Sequence, residues 1–368
     1  MLISAITFFA PLSAKAAELY FPPSQGDWEK ADPAKLGWNE AQLQKAIDLT
    51  CMTNGTALLV VQAGRIVAEH NCSLSEDEKT AFPKGFWRIY KGATATGAPI
   101  EEVASIQKSL VSFLVGIAAG KGLVDIEKPA SVYLGKGWSK ATPEQEAAIT
   151  VRHLLAMSSG LDNELRYQKP VNTQWFYNVA AYARLLFILE KVTGKTMPDL
   201  TKEWLFDPAG MHDSAWEKRG QEGRFATTGS PYGFVTTPRD LARFGLVVMN
   251  GGVWNGKDLL NNPGWMEKST MPSQNSRKSY GFLWWLNGHD YLKAGSEDAG
   301  ITEELIPAAP DDLFAAQGGS DRRLYVVPSL SLVVVRMGGP AGGNNFDMKL
   351  WWYLMRALPT LARPSQPN

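Results

Sequence analysis

The chain has 368 residues, of which 45% are hydrophobic and 20% charged; 37 basic and 37 acidic side chains give a formal net charge of zero. That length suits one large domain or two ordinary ones, and the apolar content is enough for a sizeable core. A neutral chain without a long basic run argues against nucleic acid and an anionic membrane surface as principal partners.

Residues 1–17, MLISAITFFAPLSAKAA, are apolar and end in Ala14-Lys15-Ala16, a cleavage-like pattern. They read as a signal peptide, and the protein as periplasmic or secreted. The region before the apolar run carries no Lys or Arg, which points to a truncated or misplaced start; the alternative is an apolar N-terminal strand or helix. No later segment has the roughly 18 apolar residues of a membrane span. Asn39, with Gln42 three residues on, starts a helix that runs to about Leu49. Thr56–Gln62 and Arg65–His70 read as strands joined at Ala63-Gly64. Pairing Gln62 with Arg65 brings Cys72 beside Gly55, close to Cys51. These are the only cysteines, and in an exported protein they are expected as a disulfide, the alternative being two free thiols. A loop rich in Gly, Lys and Pro spans 73–98.

Ser109–Ala119, SLVSFLVGIAA, is long enough for a buried helix, which stops near Gly120 and Gly122. Val151–Met157 is a short helix ended by Ser158-Ser159-Gly160. Tyr177–Val192 has helical periodicity and closes at Gly194. Thr237-Pro238-Arg239-Asp240 opens a further helix that ends at Asn250-Gly251-Gly252. From about residue 280 the pattern turns to strands: Tyr280–Leu286, Leu313–Ala316, Arg323–Val327 and Leu332–Met337. A last helix covers Asn345–Leu358 and stops at Pro359. The expected fold is therefore α+β: an antiparallel sheet flanked by N- and C-terminal helices, with an inserted, mostly helical domain. The sheet domain comprises 18–100 and 280–368, and the helical domain 101–279.

The chemistry centres on Ser105 and Lys108, the only Ser-x-x-Lys pair in the chain. At a helix start the two share a face, one turn apart. Free N–H groups and a partial positive charge point at whatever binds there. Burial disfavours an ammonium, so such a lysine can serve as a base for the serine. The alternative is a helix cap beside a solvated lysine. Other site patterns fail. There is no G-x-S-x-G elbow, and His70, His153, His212 and His289 show no metal spacing. Gly194-Lys195-Thr196 imitates a phosphate loop, but Leu189 stands where a glycine is required.

Around this pair the chain resembles the serine β-lactamase and penicillin-binding-protein-like hydrolases, in particular the class C-like branch. That branch also holds esterases, D-amino peptidases and 6-aminohexanoate-dimer hydrolases. The resemblance covers nearly everything after residue 35. It rests on Ser105-Ile106-Gln107-Lys108, Ile149-Thr150-Val151-Arg152-His153-Leu154-Leu155, Ser158-Ser159-Gly160-Leu161 and Trp175-Phe176-Tyr177-Asn178. It continues through Asp207-Pro208-Ala209-Gly210-Met211, Thr237-Pro238-Arg239-Asp240-Leu241-Ala242-Arg243-Phe244-Gly245 and Leu324-Tyr325-Val326-Val327-Pro328.

The resemblance implies that Ser105 is the nucleophile, Lys108 its partner and Tyr177 a general base and acid. The family's Tyr-x-Asn element has Val179 at its third position here, with Asn178 next door as the candidate for holding a substrate amide. The Lys-Thr-Gly or His-x-Gly element has no literal copy. Its counterpart is Ala316-Gln317-Gly318-Gly319-Ser320, with Gln317, Gly318, Gly319 and Ser320 as candidates for substrate or oxyanion binding. Met157 stands where many relatives carry His and reads as packing. No metal or organic cofactor is implied, and the implied substrate is a small ester or amide. A β-lactam- or peptidoglycan-directed enzyme and a non-catalytic binding protein on the same scaffold are the alternatives.

Overall fold

A computed structural model describes residues 19–72, 88–219, 230–292, 302–343 and 345–359. The apolar segment 1–17 lies outside these residues, as does 73–87 of the expected loop. Helix α1 (Glu40–Met52) starts where the Asn39 side chain accepts the N–H of Gln42. Strands β1 (Gly55–Gln62) and β2 (Arg65–Asn71) form the expected hairpin, with Gln62 opposite Arg65. Ala63 and Gly64 both have positive φ, the backbone of a tight two-residue hairpin turn. Cys72 donates its N–H to the Thr56 carbonyl at 2.9 Å, and Cys51 and Cys72 form a disulfide across Cα atoms 5.4 Å apart.

This bond closes a short loop, so it restricts the unfolded chain by about 3 kcal/mol. The double variant Cys51→Ala/Cys72→Ala is expected to melt several degrees lower while keeping its specific activity. An unchanged melting temperature would show that the bond contributes nothing to the fold.

Where a loop was expected, β3 (Tyr90–Ala93) pairs with β4 (Pro99–Glu102). β3 has four residues, none of them buried, so it carries little of the alternation by which strands are read. β4 leads directly into α2 (Ile106–Gly120). The helical region continues with α3 (Val179–Thr193), followed by β5 (Ala215–Lys218), β6 (Tyr232–Thr236) and α4 (Pro238–Met249). The small sheet β3-β4-β6-β5 therefore joins two strands from before α2 to two from between α3 and α4. The chain proceeds through the hairpin β7 (Val253–Trp254) and β8 (Lys257–Asp258), then β9 (Trp285–Leu286), and β10 (Asp290–Leu292) paired with β11 (Thr302–Glu304). It ends with β12 (Phe314–Gly318), β13 (Arg322–Val327), β14 (Leu332–Gly338) and α5 (Phe346–Ala357).

The main sheet has the order β2-β1-β14-β13-β12-β9, antiparallel throughout. Its two faces follow the period of two along each strand. Leu58, Val60, Tyr325, Val327 and Val334 join Trp351 and Leu354 of α5 and Leu43 of α1 in one core. Leu59, Val61, Leu324, Val326, Val333 and Val335 join α2 and α4 in the other. A sheet covered on both sides explains why β14 reads as the nearly continuous apolar run LVVVRM. Among the described residues, no helix is long and apolar enough to cross a membrane.

Two expected elements change. Tyr280–Leu286 is not one strand; only Trp285 and Leu286 join the sheet. Leu283 sits at φ +63° and gives its N–H to the Leu155 carbonyl at 3.1 Å, so the chain turns toward the helical layer. Residues 280–284 are apolar because Tyr280, Phe282, Leu283 and Trp284 are all buried in the core that α2 and α4 share. The helix expected from Tyr177 begins instead at Val179, capped by Asn178, which leaves Tyr177 ahead of the first turn.

Candidate active site

β4 brings the chain to Val103, whose N–H is held by the Phe234 carbonyl at 2.9 Å. Ala104 follows at φ +50°, an uncommon conformation for a residue with a Cβ. This kink sets Ser105 at the head of α2, where its side chain makes no capping bond. No acceptor for the Ser105 N–H occurs among the described residues. Lys108, one turn on and buried, donates from Nζ to Ser105 Oγ at 2.9 Å. The same Nζ lies 4.9 Å from the ring centre of Tyr177 and 4.8 Å from that of Tyr182. Between them Gln107 anchors the turn: its Oε1 accepts the Phe234 N–H and its Nε2 donates to Ser230 Oγ. Ser109 Oγ donates to the Leu283 carbonyl at 2.7 Å, tying the turn at 280–284 to the same helix start.

Tyr177 is held by its neighbours. Phe176 gives its N–H to the Met157 carbonyl, and the Asn178 N–H points at Met157 Sδ. Met157 thus packs against the segment that carries Tyr177. The Tyr177 ring stacks on Trp285 and approaches Trp175, while Tyr280 meets both tryptophans edge-on, its centroid 4.9 Å from that of Trp285. Of the three tyrosines near Lys108 and this wall, only Tyr177 is partly exposed. Burial raises the phenol pKa of Tyr182, and burial followed by the nearby Tyr177 raises that of Tyr280. Neither phenol is suited to losing a proton near neutral pH.

Asn178 requires a correction. Its Nδ2 donates to the Leu161 and Asp162 carbonyls at 2.7 and 2.9 Å, and its Oδ1 accepts the Ala181 N–H at 2.9 Å. Both donors are committed, the oxygen holds the helix N–H, and the residue is buried. It caps α3 and fixes the approach to Tyr177, with neither amide N–H left for a substrate.

The third element lies where β12 ends. A Cβ on Gly318 would stand 2.4 Å from the Val103 carbonyl oxygen, so only glycine lets this strand come so close to the turn that carries Ser105. Gly319 follows against Ala104, and Ser320 and Asp321 turn the chain at φ +64° and +56°. Gln317 is half-buried and lines a groove of about 950 Å3 together with Asp321, Phe346, Asp347 and Trp352. No lysine or histidine occurs between Gln317 and Ser320. The arginines that follow are turned inward. Arg322 pairs with Glu101 at 2.7 Å, both wholly buried, and Arg323 pairs with Asp347 at 3.1 Å.

The structure therefore brings Ser105, Lys108 and Tyr177 together and sets Gly318 and Gly319 beside the Ser105 turn. It assigns Asn178 to the scaffold. Sequence reasoning missed the wall of Trp175, Tyr280 and Trp285, and the anchoring Gln107. The Trp175-x-Tyr177 spacing was the one local signal for the wall.

A serine and lysine one turn apart at a buried helix start, a tyrosine beside them and a covered antiparallel sheet define a serine hydrolase of the β-lactamase fold. The beta-lactamase family profile matches residues 42–355, and the chain belongs to that family. Among solved structures it is similar to a protein of Bacillus anthracis described as a 6-aminohexanoate-dimer hydrolase. The TM-score is 0.64 and the identity 17%, over 92% of this chain and 89% of the other. EstCE1, described as a hydrolase with promiscuous acyltransferase activity, gives a TM-score of 0.62 at 14% identity, over 88% and 98% of the two chains. A class C β-lactamase gives 0.60 at 15% identity, over 87% and 97%.

Proposed function

We propose that the protein hydrolyses esters or small amides through an acyl-enzyme on Ser105. The observation that carries this reading is the 2.9 Å contact between Lys108 Nζ and Ser105 Oγ at the head of a buried helix. Lys108, as the amine, and Tyr177 together take the hydroxyl proton as Oγ attacks the substrate carbonyl. The Ser105 N–H and one N–H from Gly318–Ser320 receive the oxyanion; such donors are worth about 3–4 kcal/mol each in the transition state. Tyr177 returns the proton to the leaving alcohol or amine. Water then attacks the acyl carbonyl, gives up its proton to the same base, and releases the acid and the Ser105 hydroxyl. The disulfide supports an oxidising compartment, the periplasm or cell exterior.

The substrate preference follows from the third element. A β-lactam presents a carboxylate, and relatives meet it with the lysine or histidine that this chain lacks. The nearby arginines are committed to carboxylates of the protein itself, Arg322 to the buried Glu101 and Arg323 to Asp347. A missing charge-assisted contact costs about 1.5–3 kcal/mol, roughly ten- to a hundred-fold in efficiency. Esters need no such contact and have good leaving groups. Short-chain p-nitrophenyl esters are therefore expected to be hydrolysed readily, and penicillins and cephalosporins feebly. A kcat/KM for nitrocefin equal to or above that for p-nitrophenyl butyrate would reverse the ranking in favour of a β-lactam-directed enzyme. Linear amides are a second substrate class, favoured by the likeness to the Bacillus anthracis protein and by the aromatic wall beside Tyr177.

A further inference from the structure

The turn after β12 is gripped from behind. Arg323 Nη1 donates to the Gly318 carbonyl at 3.1 Å and Arg322 Nη1 to the Gly319 carbonyl at 2.9 Å. Arg336 Nη1 donates to the carbonyls of Ser320 and Asp321 at 3.1 and 3.0 Å. Four successive carbonyls thus rest on guanidinium groups, all of which belong to buried arginines. Each arginine is itself anchored. Arg322 Nε is held by Glu101 on β4; Arg323 by Asp347 and Asp321; Arg336 Nη2 donates to the Thr53 carbonyl at 2.7 Å. Glu101 also accepts from Thr56 Oγ1 and from the Gly338 N–H, which fixes it in turn.

A planar trans peptide couples its two ends: holding the carbonyl of one residue aims the N–H of the next in the opposite direction. The grips on Gly318 and Gly319 therefore set the N–H groups of Gly319 and Ser320, beside the Ala104–Ser105 turn. A cation on a peptide oxygen also polarises that peptide and strengthens its N–H as a donor. Ser320 and Asp321 occupy left-handed conformations that persist only where the surroundings impose them.

We infer that Arg322 and Arg323, with Arg336 bracing the turn beyond them, are positioning residues that preset the oxyanion-binding N–H groups, an inference that rests on Ser105 being the nucleophile. The same charges that leave no grip for a substrate carboxylate are spent holding the backbone that faces the reacting carbonyl. An arginine does this where a lysine cannot, because its fork serves Glu101 and Gly319 together. Lysine at 322 would neutralise Glu101 and release the carbonyl.

The test compares Arg322→Lys with Arg243→Lys. Arg243 grips the carbonyls of Pro22, Pro23 and Ala209 in the same manner but touches none of the site residues. Two readouts are used: steady-state hydrolysis of p-nitrophenyl butyrate, and affinity for butylboronic acid. In the boronate complex Ser105 Oγ adds its lone pair to boron as its proton passes to Lys108, leaving a tetrahedral anion that mimics the transition state. Arg322→Lys is expected to lower kcat about ten- to a hundred-fold with KM little changed, and to weaken boronate binding by a like factor. Arg243→Lys is expected to lower only the melting temperature. If Arg322→Lys lowers the melting temperature but leaves kcat and boronate affinity intact, the arginines serve stability alone and the inference is wrong. Should Arg322→Lys fail to fold, Arg323→Lys carries the same expectation through the Gly318 carbonyl. Failure of the underlying reading looks different: wild-type protein would then neither hydrolyse the ester nor bind the boronate, and the inference would fall with it.

Discussion

Ser105→Ala is expected to abolish ester turnover and labelling by a serine-reactive phosphonate while leaving the melting temperature nearly unchanged. The hydroxyl accepts from Lys108 and caps nothing, so its removal costs little folding energy. The catalytic loss is large because nucleophile and base act as a unit. Removal of the nucleophile from such a unit lowers kcat by several orders of magnitude, on the order of 10^3–10^6. Intact-mass analysis after labelling gives the cleanest readout: one adduct on the wild type, none on the variant. An Ala variant that still forms the adduct and keeps full activity would place the nucleophile elsewhere.

Lys108→Met is expected to lower kcat/KM by about 10^2–10^4-fold, the usual worth of a positioned acid–base group. Methionine keeps an unbranched apolar stem between the rings of Tyr177 and Tyr182 and removes the amine, so packing is largely preserved. The loss should appear chiefly in acylation, measured as the pre-steady-state burst of p-nitrophenol. A variant with a normal burst amplitude and rate would show that Tyr177 alone serves as base and that Lys108 only fills space.

Much of the architecture was legible because its signals are local. The hairpin at Ala63-Gly64, the capped starts at Asn39 and Thr237 and the apolar body of α2 each declare themselves within a few residues. Ser105 and Lys108 are legible for the same reason, since one helical turn separates them. Tyr177 was located by its motif but misplaced on the helix, because the period of α3 extends back through it. Asn178 was misread for a related reason. Its position before an apolar run is a helix-cap signal, and adjacency to Tyr177 suggested a substrate role instead. The rest depends on distance. Glu101 meets Arg322 across 221 positions, and the aromatic wall draws Trp175, Tyr280 and Trp285 from separate segments. Nothing in one stretch of sequence announces such meetings.

The place of β14 between β1 and β13 also constrains how the chain comes into being. During synthesis the β1–β2 hairpin emerges early and can close on itself, and Cys51 and Cys72 lie close enough in sequence to pair at that stage. The other edge of β1 has no partner until Leu332–Gly338, far along the chain, has been made. Until then the strand GTALLVVQ presents an open row of peptide groups and apolar side chains. Assembly of the main sheet is therefore a late, long-range event. A chain whose main sheet is complete only after Leu332–Gly338 has emerged needs shielding from self-association until then.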